Sequence, residues 1–472
     1  MSGDLSYLLN LVDSSVTLEN GKVHVADPTL LRKNIGQWVR ISSFETGPRQ
    51  GWARYLVRKV ALELGIFPSS INELYRARGR GDLSPTFSVP AINLRVLSFD
   101  AARAAFSAAL ALNASALIFE IARSEIGYTS QRPAEFSTNI LAAAIAENFK
   151  GPVFIQGDHF QVSARRYNTE QQAEVDAIKD LIREAISAGF YNIDIDTSTL
   201  VDISRADITD QQKLNIELSV YLAKFIRESQ PQGITISIGG EIGEVGGRNS
   251  TVDDLNAYLH GFGIAFGSKD PGSSELSKIS IQTGTSHGGV VLPDGSIAKV
   301  DLDFEALRDL SRVSRSNYGL GGTVQHGAST LPESAFGKFV EYEALEVHLA
   351  TNFMNMFYDQ APGELRDKIY EYLKKNYGAD QKPGMTDDQF YYKTRKNAIG
   401  SFKKEIDDLQ DDFHKKMTQA WNEKFMVLFE LLGLRDTRPM VEKYIHPILV
   451  TPRVEDFLGT DYSAENVSDL AD

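Results

Sequence analysis

At 472 residues the chain is long enough for one barrel-sized domain with additions, or for two to three ordinary domains. Its 42% hydrophobic and 24% charged residues fit a globular protein, and a formal net charge of -14 with no long basic run argues against a nucleic-acid binder held by phosphate contacts. Cysteine is absent, which excludes disulfides and thiolate metal sites, so a transition metal would have to be held by histidines and carboxylates.

The N-terminal stretch MSGDLSYLLN has no basic region leading into a long apolar segment, and no apolar run reaches membrane-spanning length. A cytoplasmic protein without membrane partners is the expectation. Residues 1–85 read as a mainly helical N-terminal extension, with helical periodicity from Trp52 to Leu64. The basic, glycine-broken segment Arg76 to Asp82 reads either as an anion-binding or subunit-contact arm or as a solvated loop.

Strand and helix patterns alternate over 86–360. Ser88 to Asn93 reads as a strand, Asp100 to Leu112 as an alanine-rich helix and Ala116 to Glu120 as a second strand. Pro133 to Asn148 is a helix with its proline in the first turn, followed by a third strand that runs through Val153-Phe-Ile155 to Gly157-Asp158-His159. Thr169 is positioned to cap a helix from Glu170 to Ala188, with Val175, Ile178, Ile182 and Ile186 on one face, and Gly189 ends it. Strands are expected at Tyr191 to Asp196, Ile234 to Ile238, Ile279 to Gln282, Gly322 to Gln325 and Ala344 to His348. The intervening helices are Asp210 to Ser229, Val252 to Phe262, Phe304 to Arg315 and Pro332 to Val340. Eight strands interleaved with helices predict an α/β fold, a (β/α)8 TIM barrel whose site lies at the C-terminal strand ends. An open doubly wound sheet is disfavoured because no Gly-x-Gly-x-x-Gly follows the first strand. Residues 361–472 read as a C-terminal helical extension with an acidic tail. It contains charged amphipathic helices at Asp367 to Tyr377 and Phe402 to Leu432, suited to packing on the barrel or on a neighbouring subunit.

The ends of the expected strands carry the chemistry. They bring Asn93, then Glu120 and Ser124, Asp158-His159, Asp194 and Asp196, and Glu241. Gly284-Thr-Ser-His287-Gly288-Gly289 and His326-Gly327-Ala-Ser329-Thr330 follow the sixth and seventh strands. Three histidines at three strand mouths can converge on one divalent ion and leave positions open for a substrate. The Gly, Ser and Thr neighbours of His287 and His326 are suited to offering backbone N–H groups to a phosphate. Asp194 lies one pleat deeper than Asp196 on the same face.

Residues 88–357 resemble the class II, metal-dependent fructose-bisphosphate aldolases. The resemblance is carried, in order, by Val89-Pro-Ala-Ile-Asn93, Gly157-Asp158-His159, Gly189 to Ser198 around Asp196, Glu241-Ile-Gly-Glu-Val-Gly-Gly247, Gly284-Thr-Ser-His287-Gly288 and His326-Gly327-Ala-Ser329. It implies Zn2+, or another divalent metal, on His159, His287 and His326, with Asp196 and Glu241 at a second or displaced metal position. It further implies Asp158 as the catalytic acid/base, and Gly288, Gly327 and Ser329 at a substrate phosphate with a monovalent cation nearby. Asn93, His348 and Thr351 fall on the substrate side. For His348, a substrate contact and a packed core residue both remain open. The reaction implied is reversible cleavage of a ketose 1,6-bisphosphate to dihydroxyacetone phosphate and an aldehyde phosphate, by a homo-oligomer, dimer or tetramer. Alternatives are an aldolase for another sugar phosphate, or a non-catalytic phosphosugar-binding subunit. Such cleavage leaves a charge beside a carbonyl that a divalent ion stabilises as a Lewis acid, and Asp158 could take the hydroxyl proton. No lysine stands at the sixth or seventh strand end, which disfavours an imine mechanism.

The sequence departs from the family pattern on the substrate side. Gly289-Val290-Val291 follows His287-Gly288 where an aromatic and a lysine are usual, and Gly327-Ala328-Ser329-Thr330 replaces Gly-Gly-Ser-Gly. The eighth strand reads His348-Leu-Ala-Thr351-Asn352 in place of Asn-Ile-Asp-Thr-Asp. These changes bear on the substrate more than on the metal.

Overall fold

The structure, a computed structural model, describes residues 3–243, 248–268, 275–284, 292, 302–328, 331–458 and 469–470. An antiparallel hairpin, β1 (Val16–Glu19) and β2 (Lys22–Val25), and a short strand β3 (Ile66–Ser69) precede the barrel. The barrel strands are β4 (Val89–Asn93), β5 (Ile118–Ala122), β6 (Gly151–Gln161), β7 (Asn192–Asp196), β8 (Ser237–Glu241), β9 (Lys278–Ile281), β10 (Thr323–Gln325) and β11 (Glu346–Leu349). Each pairs in parallel with its neighbours, and β11 returns to β4, so the eight strands close with helices around them. This is the expected (β/α)8 barrel. Among the described residues, no helix is long and apolar enough to cross a membrane.

The N-terminal segment is part of the sheet. β3 pairs in parallel with the first half of β6, from Ile66↔Gly151 to Ser69↔Phe154, while β7 takes the second half of β6 from Gln156 onward. Where β3 leaves and β7 begins, the buried Asn192 side chain accepts from Ile71 N–H (2.9 Å) and donates to Ser69 O (3.2 Å) and Ile155 O (3.0 Å). Backbone groups that lose a strand partner there regain one from the amide. Ile66-Phe-Pro-Ser69 is too short and too broken by proline to read as a strand from periodicity. Helix Asn72–Gly79 then runs beneath the barrel, placing Leu74, Tyr75 and Ala77 in one cluster with Val89, Ala91, Ile118 and Phe154. Arg78, almost fully buried, donates to Phe87 O, Glu343 O and Ala344 O, so most of the expected basic arm is a structural tie and not a solvated loop.

Three other elements differ from expectation. β8 begins at Ser237, three residues after Ile234, and runs through Gly239 and Gly240. A Cβ on Gly239 would strike Asp194 and Lys278, and one on Gly240 would strike Tyr258, so only glycine lets the strand pass. The helix expected from Glu170 begins at Ala164, capped by Ser163, whose Oγ accepts from Arg166 N–H (3.2 Å), and it kinks at Glu170. Thr169 bonds back to Arg165 O and Arg166 O instead of capping. The single helix expected over Phe402 to Leu432 is two, Ile399–Asp407 and Asp411–Leu431. An unbroken helix would stack Asp407 on Asp411 and Asp408 on Asp412 at like-charge spacing; the break moves the second pair into a first turn, where acids are favoured. The longer helix packs along the barrel helix Ser98–Ala111, with buried Trp421 donating to Phe353 O (3.2 Å).

Candidate functional site

The third barrel strand carries the first two site residues. In a regular strand neighbours face opposite sides, yet the β6–β7 register slips between Gly157 and Phe160, and His159 takes a left-handed φ of 38°. This bulge brings Asp158 and His159, adjacent in sequence, to one cluster. Gly157 is required beside them, because a Cβ there would run into the Phe160 ring.

At the strand ends three side chains converge. His159 Nε2 lies 2.9 Å from His326 Nδ1, and His159 Nδ1 lies 3.1 Å from Glu241 Oε2 and 3.2 Å from Asp196 Oδ2. His159, Glu241 and His326 offer donor atoms all within 4.8 Å of one another. Two imidazoles and a carboxylate at this spacing form a donor set for a divalent transition metal. Asp196 is held by Ser198 N–H and Oγ and by Gln161 Nε2 (2.6 Å), which fixes the carboxylate beside His159. Burial opposes charge on His159, but Asp158, Glu241 and Asp196 outweigh it and hold its pKa well above the ordinary value. Burial pushes the Glu241 carboxyl up, against the pull of His159. His287, Gly288 and Ser329 lie outside the described residues; Gly327 follows His326 with φ 67°.

Asp158 is enclosed by hydrogen-bonding groups. Its Oδ2 accepts from Asn93 Nδ2 (2.9 Å), and Asn93 Nδ2 also reaches Glu125 Oε2 (2.9 Å). Its Oδ1 is 3.2 Å from His348 Nδ1 and 3.7 Å from His159 Nε2. Burial opposes ionisation of Asp158, but His159 and His348 overcome it and hold the carboxyl well below its usual range. Asn93, expected on the substrate side, bonds the Asp158 carboxylate, and its Oδ1 is a buried atom without a hydrogen bond. Thr351 is buried and receives a long contact of 3.5 Å from Arg95.

His348 has carboxylates at both nitrogens, with a hydrogen bond at Nε2 alone. Nδ1 faces Glu120 (3.1 Å) and Asp158, and Nε2 lies 2.6 Å from Glu346. Below it the barrel interior is ionic. Lys278 Nζ donates to Gln156 Oε1 (2.8 Å), Asp194 Oδ2 (2.9 Å) and Glu346, and the Tyr75 hydroxyl rising from the N-terminal segment also bonds Glu346. Glu120, Asp194, Glu346 and His348 also come within metal-binding spacing, but the Lys278 ammonium already bonds two of them. Burial works against that ammonium, and Asp194 and Glu346 more than offset it, raising its pKa. A lysine held protonated is a poor nucleophile, so its presence on the sixth strand does not restore an imine route. Lys278, Gln156 and Glu346 were not among the expected site residues. Their signal was a polar or charged residue at an inward position of a buried strand.

The chain is a closed parallel α/β barrel with histidines, acids and a bulged Asp-His pair, candidate metal ligands, at its C-terminal mouth. The sequence model for class-II fructose-bisphosphate aldolase matches residues 84–424, and the chain belongs to that family, one of generally metal-dependent lyases of sugar phosphates. No curated protein matches the chain. Among solved structures it is similar to a fructose-bisphosphate aldolase from Campylobacter jejuni, at 18% identity over 79% of this chain and 97% of that one, with a TM-score of 0.46. It is also similar to a probable tagatose 6 phosphate kinase from Sinorhizobium meliloti 1021, at 13% identity over 76% and 99% of the two chains, TM-score 0.50. A third is fructuronate-tagaturonate epimerase UxaE from Cohnella laeviribosi, at 12% identity over 75% and 82%, TM-score 0.50. At 12–13% identity the likeness to the last two is one of fold alone.

Proposed function

We propose that the chain is a divalent-metal aldolase that reversibly cleaves a ketose 1,6-bisphosphate to dihydroxyacetone phosphate and an aldehyde phosphate. The observation that supports this best is the bulge that sets Asp158 beside His159, with His326 and Glu241 closing on the same point. His159, His326 and Glu241 fit a divalent ion, and the family pattern adds His287. An ion bound there would supply Lewis-acid stabilisation of the negative charge that develops as the carbon–carbon bond breaks.

The remaining steps belong to the chain's own groups. Asp158, held as a carboxylate, takes the proton of the substrate hydroxyl during cleavage and returns it during condensation. Asn93 fixes one of its oxygens and His348 faces the other, so the carboxylate has one orientation. Gly327, with Gly288 and Ser329, is assigned to the substrate phosphate, and Asn93 Oδ1 and Thr351 to substrate hydroxyls. We assign the enzyme to the cytoplasm as a homo-oligomer.

The test is cleavage of fructose 1,6-bisphosphate by metal-replete protein, with and without a chelator, coupled to triose phosphate detection. Turnover abolished by the chelator supports the reading. Metal bound without turnover on any ketose phosphate defeats it in favour of a phosphosugar-binding subunit. A second reading, an aldolase for another sugar phosphate, is favoured by His348, whose two nitrogens are engaged by carboxylates at the position where an asparagine is usual. Turnover on a different ketose phosphate, with fructose 1,6-bisphosphate inert, would select it.

A further inference from the structure

His326 belongs to two groups of convergent donors. Besides His159 and Glu241, it comes within metal-binding spacing of Asp158 and His348. Its ring stands between the other two imidazoles, with centroids 4.1 Å from each, while those of His159 and His348 are 6.5 Å apart. Ser280 Oγ, 3.0 Å from His326 Nε2, can accept from Nε2–H, which leaves the ring's lone pair on Nδ1. One lone pair binds one ion, so the two groups meet at His326 Nδ1 and surround a single ion.

His348 is prepared as a ligand of that ion. Its Nε2 donates to Glu346 Oε1 (2.6 Å), a carboxylate that Lys278 and the Tyr75 hydroxyl also bond. A histidine anchored in this way presents its other nitrogen to a metal. That nitrogen, Nδ1, is buried and makes no hydrogen bond, although Glu120 Oε1 lies 3.1 Å and Asp158 Oδ1 3.2 Å away; both oxygens also lack a hydrogen bond. Short contacts without hydrogen-bond alignment are what donors facing a common point show. Two donors about 2.1 Å from one ion and about 100° apart are themselves about 3.2 Å apart. Buried polar atoms left open cost free energy unless a partner reaches them. A cation fits here without any adjoining cavity, because it lies inside its donor set. His348 is 4% exposed and Asp158 5%, whereas His159 and Glu241 are partly exposed and leave the ion an entry from the mouth.

We propose that His348 Nδ1 is a further ligand of the divalent ion that His159, His326 and Glu241 gather. The competing occupant is a proton on the same nitrogen. Burial opposes a charged His348, but Glu120 and Asp158 outweigh it and favour the imidazolium. A proton there aligns with neither carboxylate, whereas an ion satisfies the imidazole and draws on Asp158 Oδ1 as well. The extra imidazole leaves the substrate one position fewer on the ion than where an asparagine stands, so His348 bears on which ketose phosphate the site accepts. That consequence rests on the proposed reaction, while the ligation does not.

The test is diffraction at the zinc edge from the zinc-loaded full chain, which needs no variant and no turnover. Zinc about 2.1 Å from His348 Nδ1 is expected; zinc more than about 3 Å from it, or none bound, overturns the assignment. In solution, His348→Asn is expected to bind zinc about a hundredfold more weakly against a competing chelator, and to lose one imidazole from the X-ray absorption spectrum of the bound metal. An unchanged imidazole signal overturns the assignment even if affinity falls, because a role in charge or packing moves affinity alone. Should that variant fail to fold, the diffraction result decides. Zinc on His348 without turnover of any ketose phosphate would leave the ligand standing and defeat the reaction. Zinc held without His348 would defeat the ligand and leave the reaction standing.

Discussion

The barrel mouth and the barrel interior are built from the same residue types and are satisfied in opposite ways. In the interior, Asp194 and Glu346 close on a cation the chain itself supplies, the Lys278 ammonium, with Gln156 completing its hydrogen bonds. At the mouth, His159, His326 and Glu241 gather on one another, with Asp196 and Ser280 as further partners. The first arrangement is neutralised from within; the second is the one we propose receives its cation from outside. A polar cluster becomes a site when its neutralising charge is left to a ligand, and a structural knot when that charge is built in.

The comparison can be broken from the interior first. Lys278→Met leaves two buried carboxylates without their cation and is expected to destabilise the protein by about 3–5 kcal/mol, read as a lowered denaturant midpoint. A loss below about 1 kcal/mol would mean that the interior network is not the knot described. At the mouth, Asp158→Asn is expected to retain the fold, with a lowered melting temperature, while cutting turnover by about a hundredfold or more. Full activity in that variant would remove Asp158 from the chemistry. Zinc added at about 100 times its dissociation constant should stabilise the parent protein by about 2.7 kcal/mol, and this gain should vanish in His159→Ala, His326→Ala or Glu241→Ala. An undiminished zinc effect in these variants would place the metal elsewhere.

The smallest effect concerns a pair outside both regions. The hydrogen bond that His414 Nδ1–H donates to the Asp100 carboxylate raises the pKa of His414, against burial, from its ordinary 6.5. A raised folded-state value means that the pair stabilises fully below about pH 6.5 and loses that contribution as pH rises through the folded value. His414→Gln should therefore cost up to about 1 kcal/mol at pH 6 and almost nothing well above the folded pKa, measured by urea unfolding at several pH values. A cost that grows with pH would contradict the sign.

Much of this was legible in the sequence because the barrel announces itself through alternation, and Asp158-His159 through two chemical groups placed together after an apolar run. The bulge that lets both reach the cluster was not legible, since a slip in register depends on the neighbouring strand. Lys278 and Glu346 were hidden for a related reason. Each sits in a strand of four residues, and only closure of the barrel shows that they meet. β8 was placed three residues early because Ile234-Thr-Ile-Ser-Ile238 has strand composition, whereas the strand runs on into Gly239-Gly240, whose bareness is dictated by Asp194, Lys278 and Tyr258. The break after Asp407 was visible in principle as a like-charge conflict at helical spacing, but the apolar stripe from Met417 to Leu428 obscured it. His287, Gly288 and Ser329 fall outside the described residues, so their part in the site rests on the family pattern alone.

The Tyr75 hydroxyl on Glu346 has a consequence for how the molecule can be divided. The family match begins at residue 84, yet the floor of the barrel, the donor beneath its ionic centre and the strand alongside β6 all come from before that point. A chain started at residue 86 would open Val89, Ala91, Ile118 and Phe154 to water from below and strip Glu346 of a buried partner. The unit that inheritance has made recognisable is therefore smaller than the unit that covers the barrel floor.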